Sequence, residues 1–227
     1  MKGEHIPFPN RFNKQPTAMK KCFLGFLFLA LLINHTASAQ AVESGKLEAE
    51  LGFGFGLYGL GDNIDNNESS IALPGLINLK AQYAITKWFS PGLMYERNGF
   101  ITDPDSAENA KSGNFYLALT FRVLNTERTA VHTSINFGSS NYEYEREGTN
   151  DKVSASGGAF QLGFGIKHFI SDHIGIGYDF ALASYAYDEL KVDGEVIQFL
   201  DLDKLELVNY EIGFVGVNHR IGITYKF

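Results

Sequence analysis

The sequence predicts an all-β chain, an eight-stranded antiparallel transmembrane β-barrel with four long extracellular connections. Three observations predict it. Apolar residues alternate with polar or tiny ones over runs long enough to cross a bilayer as tilted strands. Long polar connections alternate along the chain with short turns. An export signal precedes the first run.

The signal comes first in the chain. Met19-Lys20-Lys21 leads into an apolar core, Cys22 to Ile33, that is too short to span a bilayer as a helix. Ala37-Ser38-Ala39 is an A-x-A site, so cleavage before Gln40 is expected. Residues 1–18 are odd ahead of such a signal; Met19 is the natural start, and a long basic n-region is the alternative. The division is therefore 1–39, N-terminal extension and signal peptide, and 40–227, the barrel domain. Cys22 is the only cysteine and leaves with the signal, so the mature chain needs no disulfide framework. Removing five cations and one acid moves the net charge from −7 to −11. That acidity argues against a nucleic-acid partner.

Residues 40–45 are a short leader. The first strand runs from Lys46 to Gly59, with Leu47, Ala49, Leu51, Phe53, Phe55 and Leu57 on one face. The other face carries Glu48, Glu50, Gly52, Gly54, Gly56 and Tyr58. A soluble sandwich rarely sets two glutamates and three glycines inside. In a narrow barrel the apolar face meets lipid, and the glycines leave room for charged side chains from across the lumen.

A polar loop at 61–72 precedes the second strand, which opens at Pro74. Ile77, Leu79, Ala81, Tyr83 and Ile85 face out, and Asn78, Lys80, Gln82 and Ala84 face in. The turn 86–91 carries Trp88 and Phe89, which suit an interfacial girdle. The third strand has Leu93 and Tyr95 outward, Met94 and Glu96 inward, and fades near Asn98. After a loop at 99–113, the fourth sends Phe115, Leu117, Leu119, Phe121 and Val123 out and Tyr116, Ala118, Thr120 and Arg122 in.

The fifth strand has Val131, Thr133, Ile135 and Phe137 outward, with His132, Ser134 and Asn136 inward. Tyr142 and Tyr144 keep the alternation, so this strand extends beyond the bilayer. The sixth has Phe160, Leu162, Phe164 and Ile166 out and Gln161, Gly163, Gly165 and Lys167 in. In the seventh, Ile174, Ile176, Tyr178, Phe180 and Leu182 face out and Gly175, Gly177, Asp179 and Ala181 face in. The fourth connection, 186–214, contains Asp193-Gly194, a hairpin signal, then a partly extended return.

The last strand ends the chain. Val215, Val217, Ile221, Ile223, Tyr225 and Phe227 form an apolar row interrupted by His219, while Asn218, Arg220, Thr224 and Lys226 lie opposite. Phe214 breaks the parity, which predicts a β-bulge between Phe214 and Val215. The alternative divides 205–214 from 219–227 as two strands. Nine strands would leave the termini on opposite sides, against the even number usual for bacterial barrels.

Connections at 86–90, 124–129 and 169–173 are short, as periplasmic turns are. The four long ones (60–73, 99–113, 139–156 and 186–206) hold 17 of the 25 acidic residues after the signal. Inside, Glu48, Glu50, Glu96 and Asp179 nearly balance Lys80, Arg122, Lys167, Arg220 and Lys226. Eight strands leave a lumen that side chains fill, so these charges are expected to pair across the axis and close any pore.

Few residues suggest chemistry. His132 and Ser134 share a face, and a general base beside a nucleophile, with an acidic partner on a neighbouring strand, is the core of some lipid hydrolases. This pair points into the lumen near a short turn, away from the outer leaflet where such enzymes work. A polar core network is the better reading. Asp62 to Glu68 is rich in oxygen ligands but lacks the spacing of a calcium loop. The histidines do not cluster; His168 and His173 read as interfacial, and His219 marks the bilayer rim or a register error. Glycine at alternate positions is strand patterning, not a dinucleotide fingerprint. No catalytic, cofactor or metal residue is assigned.

The strand rhythm from Lys46 to Phe227, L-K-A-Q-Y-A-I-T-K-W-F-S-P-G-L-M-Y at 79–95, F-I-S-D-H-I-G-I-G-Y at 169–178 and the ending I-G-I-T-Y-K-F carry a resemblance. The chain resembles the outer-membrane β-barrel domain family, the small barrels of the OmpA/OmpX type, particularly versions from Bacteroidetes-like bacteria. The resemblance implies the bacterial outer membrane as location, outer-membrane lipids and lipopolysaccharide as surroundings, and a monomer. It also implies that Phe227, with Tyr225 two before it, resembles the signal read by the barrel-assembly machinery. Fold alone does not fix activity. The expected function is a non-enzymatic structural or surface-binding barrel with a plugged polar lumen, acting through acidic loops. A small membrane-embedded lipid-modifying hydrolase or a narrow solute conduit is the alternative.

Overall fold

The computed structural model describes residues 41–62, 70–101, 108–145, 151–201 and 206–227. Its strands are β1 (Leu47–Asp62), β2 (Ser70–Tyr83), β3 (Phe89–Ile101), β4 (Glu108–Asn125), β5 (Thr129–Glu145), β6 (Lys152–Phe169), β7 (Ile174–Val192), β8 (Glu195–Val196), β9 (Gln198–Asp201), β10 (Glu206–Asn209) and β11 (Ile212–Lys226). β1 through β7 pair in sequence order, all antiparallel. β11 closes the barrel by pairing with both β1 and β7. Eight long strands therefore form one closed antiparallel barrel, as the sequence predicts. The signal segment, and residues 63–68 of the candidate calcium loop, lie outside the described residues.

The period-two faces dictate which side chain goes where. Outward Phe55, Ile77, Leu79, Phe164 and Ile221 are exposed, and inward Glu48, Lys80, Glu96, Arg122 and Lys167 are buried. Such an inside-out pattern suits hydrocarbon outside and packed side chains within. Among the described residues no helix is long and apolar enough to cross a membrane. This chain crosses with strands, each satisfying its backbone on both neighbours.

Several expected boundaries move. β1 continues to Asp62 and β2 begins at Ser70, so Pro74 is inside a strand rather than at its start. β3 runs on through Asn98, which is buried. β7 reaches Val192, so much of the expected fourth connection is barrel wall. Asp193 (φ 49°) and Gly194 (φ 91°) then make the expected two-residue hairpin into β8, left-handed at both central positions as such turns require. β9 and β10 form a separate two-stranded sheet and not a ninth barrel strand.

The expected bulge at Phe214–Val215 is absent. β11 holds unbroken register with β1 from Asp62↔Ile212 to Glu48↔Lys226. Phe214 keeps the parity of Arg220 and is buried facing inward. The physical reason is visible on β5 and β7. Past Phe137, the outward residues of β5 become Ser139, Asn141 and Glu143 and the inward ones include Tyr142. Past Leu182, those of β7 become Ser184, Ala186 and Asp188, with Tyr185 and Tyr187 inside. Above the lipid belt the barrel is sided like a soluble one. The chemistry of each face inverts there without any change of register. Real register shifts lie at Glu108/Lys111, Arg122/Leu124 and Ser156/Gly157. The second of these turns Leu124 outward and leaves Val123 only partly exposed, correcting its expected place in the outward row.

Candidate functional site

The lumen gathers the chain's buried polar chemistry. In its lower part Glu48 from β1 accepts from Arg122 Nη2 on β4 at 2.8 Å, Lys167 Nζ on β6 at 3.1 Å and Gln82 Nε2 on β2 at 2.6 Å. Lys167 also lies 3.0 Å from Glu50, which accepts from the Thr224 hydroxyl of β11. Higher up, Glu96 from β3 accepts from Arg220 Nη1 at 2.8 Å, from Gln161 at 2.8 Å and from the Tyr185 hydroxyl at 3.0 Å. These pairs span the barrel axis, as the near-balance of inward charges predicts. Lys80 and Lys226 depart from that pattern. They donate to neutral oxygens, Thr120 Oγ1 and Ala41 O.

His132 and Ser134 both face the lumen and are buried. The structure does not join them. His132 Nε2 instead lies 2.8 Å from Asp179 Oδ1 on β7. A carboxylate on one ring nitrogen is what a triad uses to orient its base, but among the described residues no hydrogen bond joins His132 to Ser134. His168 pairs with Thr129 and His173 with the Lys226 carbonyl, both at the short-turn end. His219 faces outward in unbroken register with Phe55 and Phe180, so its place on that face is no register error. It lies midway along the outward row from Val215 to Tyr225, with Nδ1 2.7 Å from the Tyr178 hydroxyl. Among the described residues no group of three His, Cys, Asp or Glu side chains could hold a metal ion.

Both ends of the lumen are also occupied, and sequence reasoning missed how. At the short-turn end Ala41 and Val42, read as a leader, are buried with Ala84, Ala130 and Phe169. Val42 N donates to Asn125 Oδ1 at 3.1 Å, Asn125 Nδ2 donates to Val42 O at 2.7 Å, and the Lys226 ammonium stands over the Phe169 ring. Nothing in the composition of residues 40–45 signals this. At the long-connection end Tyr58, Phe100, Tyr142, Tyr187 and Phe214 pack ring on ring, with Phe214 5.3 Å from Phe100 and 5.2 Å from Tyr142. The period-two run Tyr185, Tyr187 carried that signal. On the outer surface of the same end, Gly61, Ala186, Gly213, Asp188 and Glu211 line a hollow of about 260 Å³.

The chain is similar to several solved outer-membrane proteins. OprG of Pseudomonas aeruginosa is similar at 13% identity and TM-score 0.58, over 84% of this chain and 99% of that one. Neisserial surface protein A is 9% identical with TM-score 0.47, covering 80% and 96%. Ail, the attachment invasion locus protein of Yersinia pestis, is 13% identical with TM-score 0.43, covering 81% and 99%. No curated protein sequence matches significantly. The family model described as outer membrane protein beta-barrel domain matches residues 26–200. With its closed barrel and apolar outer belt, the chain belongs to the outer membrane protein β-barrel domain family and resides in the bacterial outer membrane.

Proposed function

We propose that this protein is a non-enzymatic outer-membrane barrel with a plugged lumen, serving a structural or surface-binding role through its acidic outer connections. The observation that carries the reading is the filling of the lumen along its length. Ala41, Val42 and Phe169 occupy one end, the Glu48 and Glu96 networks the middle, and the Phe214 ring cluster the other end. Passage of a solute would require breaking buried ion pairs, at several kcal/mol each. Function then falls to the outer end, where Asp188 and Glu211 edge an open hollow. Divalent cations bridging such carboxylates to lipopolysaccharide phosphates would give the acidic rim its partner. Tyr225 and Phe227 are the residues offered to the barrel-assembly machinery.

Three measurements test this. Purified protein in planar bilayers is expected to produce no stepwise conductance; steady channels would overturn the plugged lumen. Binding of lipopolysaccharide vesicles is expected to rise with added magnesium and fall with chelator, and insensitivity to both would remove the cation bridge. Replacing His132 and Ser134 by Ala is expected to leave membrane lipid composition unchanged, and an altered composition would restore the hydrolase.

A further inference from the structure

We propose that, where the family resemblance implies a monomer, the outward face formed by β1, β11 and β7 is instead an interface with a second copy of this chain inside the bilayer. His219 is the reason. It sits at the middle of the lipid-facing row of β11, paired across the sheet with Phe55 on β1 and Phe180 on β7. Phe55 stacks on its ring at 5.2 Å and Phe180 meets it edge-on at 5.3 Å. Tyr178 engages Nδ1, and the other ring nitrogen has no hydrogen-bond partner among the described residues.

The ring sits midway along an apolar, lipid-facing row, away from both ends where water and headgroups would meet it. A polar group left unsatisfied in hydrocarbon costs several kcal/mol, and acyl chains offer nothing to satisfy it. A second barrel does. Two copies inserted with the same orientation are related by a two-fold axis along the membrane normal, which sets both His219 rings at one depth. The contact is isologous, so each Tyr178 oxygen is presented at the depth where the other copy's imidazole needs a partner. A tyrosine hydroxyl both donates and accepts. Tyr178 that donates to its own His219 Nδ1 still accepts from the N–H of the second copy. Above this point Gly59, Gly213 and Ala186 keep the outward face low, which lets another barrel approach closely. Val215 and Phe55, at 67% and 59% exposure, supply apolar area beside the pair.

Disulfide trapping tests the interface, because the chain after the signal has no cysteine of its own. Val217→Cys reports this face, and Leu117→Cys on β4 reports the opposite side of the barrel. After oxidation in native outer membranes, Val217→Cys is expected to give roughly tenfold more disulfide dimer than Leu117→Cys, the ratio set by about 1.4 kcal/mol of preference. Adding His219→Leu, which suits a lipid face and leaves the barrel heat-modifiable, is expected to reduce the dimer to the control level. His219→Gln, which keeps a donor and an acceptor, is expected to retain it. Equal trapping at both sites, dimer unaffected by His219→Leu, or a cross-linked product containing a different protein would each overturn the proposal.

Discussion

His132 Nε2 and Asp179 Oδ1 stand 2.8 Å apart, joined from β5 to β7 across the intervening strand β6. The residue between them in register is Gly165, which pairs with His132 on one side and Asp179 on the other. A Cβ there would run into the Asp179 carboxylate and lie 2.7 Å from His132 Cε1 and Nε2. Gly165→Val is therefore expected to part the pair and overpack the lumen, at about 1–3 kcal/mol. Urea midpoints of the folded, heat-modifiable form check this. Gly158→Ala, with open space at its Cβ, is the matched control and is expected to be near neutral.

Glu48 holds two cations, Arg122 and Lys167, in a lumen from which all three are nearly excluded from solvent. Glu48→Gln leaves Arg122 without a carboxylate partner, a change expected to cost about 3–5 kcal/mol. Adding Arg122→Met is expected to recover part of that loss, since the buried guanidinium goes with its partner. A double-mutant cycle on unfolding free energy measures the coupling. Additive losses would mean that the pair contributes nothing beyond its separate packing.

Phe214 is the hub of the ring cluster that closes the outer end. It contacts Phe100, Tyr142, Tyr58 and Tyr187. Phe214→Ala is expected to cost about 3–5 kcal/mol locally, opening the outer ends of β7 and β11 while the lipid-embedded part stays folded. Protease added to whole cells should cut that end faster than in the unaltered protein. An unchanged cutting rate would mean that the cluster does not hold the rim.

Tyr142 lies above the lipid belt, flanked on its strand by outward Asn141 and Glu143. Burial, then the neighbouring Tyr144 hydroxyl, pushes its own hydroxyl above the ordinary value of 10.0. A raised folded value means that the neutral form is favoured by folding. The associated stability is complete below the unfolded value and is lost as pH rises above it. Tyrosinate absorbance of the native barrel is expected to lose one late-titrating group in Tyr142→Phe, and the outer end of that variant should resist alkali better.

The period-two pattern was legible in the chain because side-chain alternation is a property of the strand backbone alone. It set the strand number, the outward row of β11 and the inward set from Glu48 to Lys226. The partners of those inward residues were not legible. His132 meets Asp179, not Ser134, because register and closure bring β5 and β7 to either side of a glycine. Ala41 and Val42 close an end that exists only once eight strands make a ring. Phe214 reads as a parity error in the sequence, because the pattern of a lipid-facing strand makes an apolar residue outward. Only the tertiary structure decides where the bilayer stops. Beyond that height water replaces hydrocarbon outside the wall, and the same inward position that takes an arginine at 220 takes an aromatic ring at 214.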